Sequence, residues 1–194
     1  AEEGIAAIAL CEAYGMTQDP QLRQPAQKAV DFIVAAQHPA RGGWRYAPAA
    51  GSDTSVSGWM VMALRSAELA GLEVPTTAWE GVGRWLDNAQ ASTSRPELYR
   101  YNPQAPETPS QAHGRRPSDT MTAVGLLMRM YTGWRRENPS MIRGAEYLRQ
   151  RLPEIGSAAG ALMQSVALPF QRMEVQLLRG FQGFPAIEKL PGDA

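Results

Sequence analysis

The sequence predicts an all-α protein made of stacked α-hairpins. Two observations carry that reading. Apolar residues recur at helical spacings through residues 3–151, with no convincing alternating strand pattern anywhere. Sequence motifs also return at long intervals. Trp44-Arg45-Tyr46-Ala47-Pro48 is echoed by Tyr99-Arg100-Tyr101-Asn102-Pro103, and Ser52-Asp53-Thr54 by Ser118-Asp119-Thr120. The second interval is the longer one, which places an insertion in the second loop, within Gln104 to Pro117. A third echo joins Gly4…Ala9-Leu10…Ala13 to Gly58…Ala63-Leu64…Ala67, at nearly the same interval as the first.

Each repeat unit holds two helices of different character. The first kind is apolar nearly all round, as in Ile5 to Leu10, Val56 to Leu64 and Val124 to Tyr131. A helix without a polar face needs neighbours on several sides, so 3–15, 54–70 and 120–132 are expected to form an inner layer. The second kind is amphipathic. Ala26, Ala29, Val30, Ile33 and Ala36 form one stripe, and Ala78, Val82, Trp85, Leu86 and Ala89 another. Met141, Ile142, Ala145, Leu148 and Leu152 form a third. Helices at 21–37, 77–91 and 139–151 therefore make an outer layer. Pro25 falls in the first turns of one, Thr76 or Thr77 caps the next, and Pro139 follows Asn138 as cap of the last. Asp53 and Asp119 are expected as N-caps of inner helices, where a carboxylate accepts orphan N–H bonds.

The repeat domain is thus placed at 1–152. Residues 153–194 lack a further Trp-Arg-Tyr or Ser-Asp-Thr and read as a degenerate segment or tail, with Phe170, Met173, Leu177 and Leu178 on one face of a short helix. The first residues, Ala1-Glu2-Glu3-Gly4, lead straight into a helical pattern and read as an internal piece of a longer chain or a processed product, so no compartment is assigned.

Composition excludes several classes of function. Nineteen basic residues against nineteen acidic ones leave no net charge for bulk attraction to nucleic acid. One cysteine, Cys11, allows neither an internal disulfide nor a multi-cysteine zinc site. Charged residues interrupt every apolar run before it reaches a membrane span. The 18 glycines and 15 prolines exceed an average share of roughly 12% and suit well-punctuated loops between helices.

The segment Gln37-His38-Pro39-Ala40-Arg41-Gly42-Gly43-Trp44, leading into an inner helix, resembles the Gln-Trp repeat motif of the terpenoid cyclase and protein prenyltransferase α/α-toroid superfamily. Ser52-Asp53-Thr54-Ser55-Val56 resembles the Asp-x-Asp-Asp-Thr-Ala stretch at the cyclases' catalytic acid. The resemblance covers about residues 3–151 and is closest to the repeat-only relatives, the prenyltransferase/squalene oxidase repeats. It implies a partial ring of three hairpins out of the family's six. The cyclase motif holds its proton because clustered, buried carboxylates raise one pKa. Here the aligned positions read Ala50, Gly51, Ser52 and Asp53, and the second copy Arg116, Pro117, Ser118 and Asp119. The proton-donating carboxylate is a serine in both. A lone aspartate at a helix start is expected to be ionised, since the dipole lowers its pKa. The family's zinc site has no counterpart, because Cys11, His38 and His113 match no zinc spacing.

No catalytic residue, metal or cofactor is therefore assigned. Six residues are candidates for ligand contact: Trp44, Tyr46, Asp53, Trp59, Tyr101 and Asp119. For the two aspartates the structural reading is the cap; for Trp44, Tyr46 and Tyr101 it is locking one hairpin to the next, while Trp59, on an inner helix where a lumen wall would lie, is the best single candidate for ligand contact. Met60, Met62, Met121, Met128 and Met130 read as core. The expected function is a non-catalytic module that binds an apolar small molecule or a protein, with edge helices paired to missing sequence or another chain. The alternative is an enzyme acting on isoprenoid or other apolar substrates through acids such as Glu12 and Glu68, which requires them to converge in an enclosed pocket.

Overall fold

The computed structural model describes residues 2–151. They are mostly helical, with six α-helices: α1 (Glu2–Thr17), α2 (Pro20–Ala36), α3 (Thr54–Leu69), α4 (Thr76–Ala89), α5 (Asp119–Tyr131) and α6 (Pro139–Arg149). Between α4 and α5 lie a small antiparallel hairpin, β1 (Gln90–Ser92) with β2 (Arg95–Tyr99), and a 3-10 turn over Pro109–Arg115. The segment 153–194, with the helix face expected around Phe170, lies outside the described residues, as does Leu152.

Packing follows the two-layer order. α1, α3 and α5 lie side by side; α2 packs on α1 and α3, α4 on α3 and α5, and α6 on α5 and β2. The central helix α3 is covered all round, with Val56, Met60, Val61, Met62, Ala63, Leu64 and Ala67 buried. The outer helices use the expected stripes on α2 (Ala26, Val30, Ile33, Ala36) and on α4 (Ala78, Val82, Trp85, Leu86, Ala89). Trp85, Leu86 and Val82 are almost wholly enclosed, and each such side chain contributes about 1.5–3 kcal/mol relative to exposure.

Several expectations are corrected. α1 is buried on one face only, through Gly4, Ala7, Cys11 and Tyr14, and leaves Ile5 50% exposed. Among the described residues it has packed helices along one side alone, so an apolar surface on the other stays in water. On α6 the buried positions are Met141 and Gly144, while Ile142 and Ala145 are exposed. A Cβ at Gly144 would stand 2.5 Å from Leu126 Cδ1, so α6 rests where it has no side chain and its stripe is rotated. The β1–β2 hairpin departs from the all-helical expectation; Glu97, Leu98 and Tyr99 are buried in succession and leave no alternation to read. α4 begins after Pro75, and neither Thr76 nor Thr77 caps it. The Asn138 cap and the Pro139 start are as expected, with Asn138 Oδ1 accepting from Ser140 N–H at 2.8 Å.

The repeat register also shifts. Asp53 caps α3, its Oδ1 accepting from Val56 N–H at 2.8 Å. Its counterpart at α5 is Ser118, whose Oγ accepts from Met121 N–H at 3.2 Å; Asp119 is already the first helical residue. The backbone agrees, since Asp53 N–H donates to Trp44 O at 2.8 Å and Ser118 N–H to Tyr99 O at 3.2 Å. The two Ser-Asp-Thr tripeptides are thus out of step by one residue. Ser and Asp both serve as N-caps, so the letters matched while the posts did not.

Candidate functional site

The six candidate residues all belong to the two echoed loops or to the helices those loops enter. Trp44 is a core residue, 1% exposed, with its indole N–H donating to Ile33 O at 2.7 Å. This ties the first loop to α2. Trp59 is half-buried on α3 at the contact with α1, where a Cβ on Gly4 would lie 3.3 Å from Trp59 Cβ. Asp119 is half-buried and accepts from the Tyr147 hydroxyl of α6 at 2.8 Å. These three serve separate contacts between elements.

Asp53, Tyr101 and Tyr46 come together. The second loop is fastened to the start of α3 by Thr54 N–H donating to Tyr101 O at 2.9 Å and Thr54 Oγ1 to Arg100 O at 2.6 Å. Those two bonds bring the Tyr101 phenol beside the Asp53 carboxylate. Tyr46, 70% exposed, supplies a second phenol, and Arg45 Nε stands 3.8 Å from Asp53 Oδ2. Arg100, the counterpart of Arg45, instead donates to Asn88 O at 3.0 Å and to Gln90 O, closing the end of α4.

The carboxylate itself is fully enclosed. Burial pushes the Asp53 carboxyl above its ordinary value, and this outweighs the opposing pull of Val56 N–H, Tyr101 and Arg45. The expectation of a lowered pKa is therefore corrected: the dipole acts, and desolvation is larger. Oδ2 of Asp53 and the Ser52 hydroxyl are both buried without a well-formed hydrogen bond. Tyr101 is likewise pushed up, first by burial and then by the neighbouring Asp53 charge.

No other carboxylate acts on Asp53 among the described residues. Glu12 on α1 faces Ser66 of α3 at 3.5 Å, with its carboxyl raised by burial. Glu68 turns instead to Arg65 at 3.0 Å and to the Trp79 indole N–H at 2.7 Å. The two glutamates thus meet different partners and do not converge. Cys11 is fully buried and its thiol is pushed up to about 11, first by burial and then by Glu12, so it stays protonated and unreactive at neutral pH.

A solvent-open groove of about 910 Å³ lies where α2, α3 and the α3–α4 loop meet, lined by Gln27, Asp31, Arg65, Glu68 and Glu73 among others. None of the six candidates lines it. Gln27 holds the loop there by a two-point clamp, its Nε2 donating to Glu73 O at 3.0 Å and its Oε1 accepting from Glu73 N–H at 2.9 Å. Nothing in the periodicity of α2 marks Gln27 for this, because its partner is a backbone far along the chain. Among the described residues no three potential ligands gather for a metal ion, and no helix is long and apolar enough to cross a membrane.

No family model, curated protein or solved structure matches this chain.

Proposed function

We propose that the chain is a hairpin-repeat module of the α/α-toroid type, a partial ring of three hairpins, that works by binding an apolar molecule or a protein and not by catalysis. The observation that carries this reading is the solitude of Asp53. By the sequence resemblance it aligns with the last acid of the cyclase motif; it acts as a helix cap, has an arginine at 3.8 Å and has no second carboxylate acting on it among the described residues. Cyclase-type protonation of an alkene draws on clustered acids in an enclosed chamber. The acids of the inner helices point to separate partners, and the groove beside Glu68 is open to water. The two loop motifs persist as packing devices, through the Trp44 indole and the Thr54 bonds to the second loop.

A second reading has one observation in its favour. Burial raises the Asp53 carboxyl against the pull of its hydrogen-bond donors and of Arg45, and its enclosed Oδ2 lacks a well-formed hydrogen bond, so desolvation favours a held proton. In that reading Asp53 donates a proton to an isoprenoid or other apolar substrate.

The test is incubation of the full chain with squalene, oxidosqualene and prenyl diphosphates, followed by mass spectrometry of the products. The binding reading expects no conversion. Turnover that is lost in Asp53→Asn overturns it in favour of the enzyme.

A further inference from the structure

The repeat predicts what belongs on the open side of α1. α1 docks on α3 at defined posts: Gly4 comes close to Trp59 and Met60, and Gly15 to Ala70, with a Cβ on either glycine falling 3.1–3.3 Å from those side chains. The sequence echo maps α1 onto α3, with Gly4 on Gly58. The α3 residues that receive α1 therefore have counterparts in α1 itself. Trp59, Met60 and Ala70 correspond to Ile5, Ala6 and Met16, and the intervening Ala63 and Ala67 correspond to Ala9 and Ala13.

That is the uncovered face of α1. Ile5 is 50% and Met16 73% exposed; Ala6 and Ala9 are exposed and Ala13 half-buried. The surface α1 shows to water is thus the copy of the surface on which α3 seats an inner helix. What fits it is another inner helix of the same repeat.

Among the described residues, α5 at the other side of the row carries one. Gly4 of α1 and Gly58 of α3 hold the same post, each close against the next inner helix; a Cβ on Gly58 would lie 2.7 Å from Val124 Cγ1 of α5. Carried forward by the register of Ser57 and Thr122, that post falls on Ala123 of α5. Ala123, Leu127 and Met130 follow one another at i, i+4 and i+7 on one helix face. The first two are half-buried and Met130 is 45% exposed.

We propose that this chain stacks head to tail on a second copy of itself, with the Ala123–Leu127–Met130 face of α5 in one copy seated on the Ile5–Ala6–Ala9–Met16 face of α1 in the next. The two surfaces differ, so the contact is heterologous and each copy keeps one of each. The proposal rests on the reading of the chain as a hairpin-repeat module and names its partner.

The full chain is followed by light scattering after size exclusion across micromolar concentrations, with circular dichroism to confirm folding. The wild-type mass is expected to rise with concentration. Ala6→Glu blocks the α1 face and Met130→Glu the α5 face, both at solvent-exposed positions, and each variant alone is expected to be monomeric. Mixed together, they retain one intact face each and are expected to form a one-to-one pair and nothing larger. Ala9→Glu is the replacement for the α1 block where Ala6→Glu melts abnormally. A wild type that stays monomeric throughout, which is also the outcome if another part of the chain covers either face, overturns the proposal. So does a dimer lost in Ala6→Glu, untouched in Met130→Glu and not restored by mixing, which marks a symmetric α1–α1 contact. Turnover in the isoprenoid assay sinks the non-catalytic reading and leaves the stacking result standing.

Discussion

The backbone N–H of Trp44 donates to the Ser57 hydroxyl at 2.9 Å, 13 residues further on. The same bond recurs between Tyr99 N–H and Thr122 Oγ1 at 3.2 Å, 23 residues apart. The difference is the longer second loop, looped out between an aromatic post and a hydroxyl post that both copies share. A bent loop is thereby pinned to the second turn of the helix it enters, inside the core. Removal of either hydroxyl leaves a buried N–H without a partner, which costs about 1–3 kcal/mol. Ser57→Ala and Thr122→Val are each expected to lower stability by about that amount in urea unfolding. A neutral result for both removes the shared pin as a determinant of the fold.

The caps of α3 and α5 separate Ser118 from Asp119. Ser118→Ala removes the side chain that accepts from Met121 N–H and is expected to cost about 1 kcal/mol. Asp119→Asn retains an acceptor for the Tyr147 hydroxyl and is expected to cost less. Denaturation midpoints of the two variants check the order, and the reverse order restores Asp119 as the cap.

Tyr99 and Gly125 fix the distance between β2 and α5. A Cβ at Gly125 would lie 2.3 Å from Tyr99 Cγ, and that ring is fully buried, with its hydroxyl accepting from Arg129 Nε at 3.0 Å. The ring has no free space to yield, so Gly125→Ala is expected to destabilise by about 1–3 kcal/mol through overpacking. Thermal unfolding reads the loss directly. Gly83→Ala, which meets nothing within 4 Å, is the control and is expected to be neutral or stabilising.

Asp53 gives stability an unusual pH dependence. Its folded pKa lies above the ordinary carboxylate value because of burial, so the folded state binds the proton more tightly than the unfolded chain. The resulting stabilisation is complete below the unfolded pKa and is lost as pH rises through the folded one. Asparagine retains a capping oxygen and has no charge to bury. Asp53→Asn is expected to be at least as stable as wild type at neutral pH, with the advantage shrinking on acidification. A large loss of stability at neutral pH shows that the ionised carboxylate is favoured instead.

Glu97 behaves in the opposite sense. It is 2% exposed and accepts from Arg95 Nε at 2.6 Å and Arg143 Nε at 3.4 Å, joining β2 to α6. Burial resists its ionisation, and the two guanidiniums overcome that, holding the carboxyl below its ordinary value. Its contribution is present above the unfolded carboxylate pKa and is lost as pH falls through the folded one. Glu97→Gln is expected to weaken the chain at neutral pH, with the difference from wild type closing in acid. Urea titrations at a series of pH values follow both carboxyls in the same experiment.

The sequence by itself determined the helical class, the alternation of inner and outer helices, and the faces of α2 and α4. These rest on local periodicity, which needs only the apolar residues of one helix to share a side. The central α3 was legible for the same reason, since a helix apolar all round is stable only when enclosed. Tertiary structure alone decided the rest. α1 looked as buried as α3, and differs only because, among the described residues, no third helix lies on its far side. α6 turned its stripe because Leu126 needs the empty space at Gly144. The Ser-Asp-Thr echo slipped by one residue because cap posts are chosen by hydrogen-bond reach, and a serine serves as well as an aspartate. At the candidate site the sequence brought forward Asp53, Tyr46 and Tyr101, and the fold brought them together. The state of Asp53 was not legible, since a helix dipole can be read from the chain while desolvation depends on every atom packed around the carboxylate.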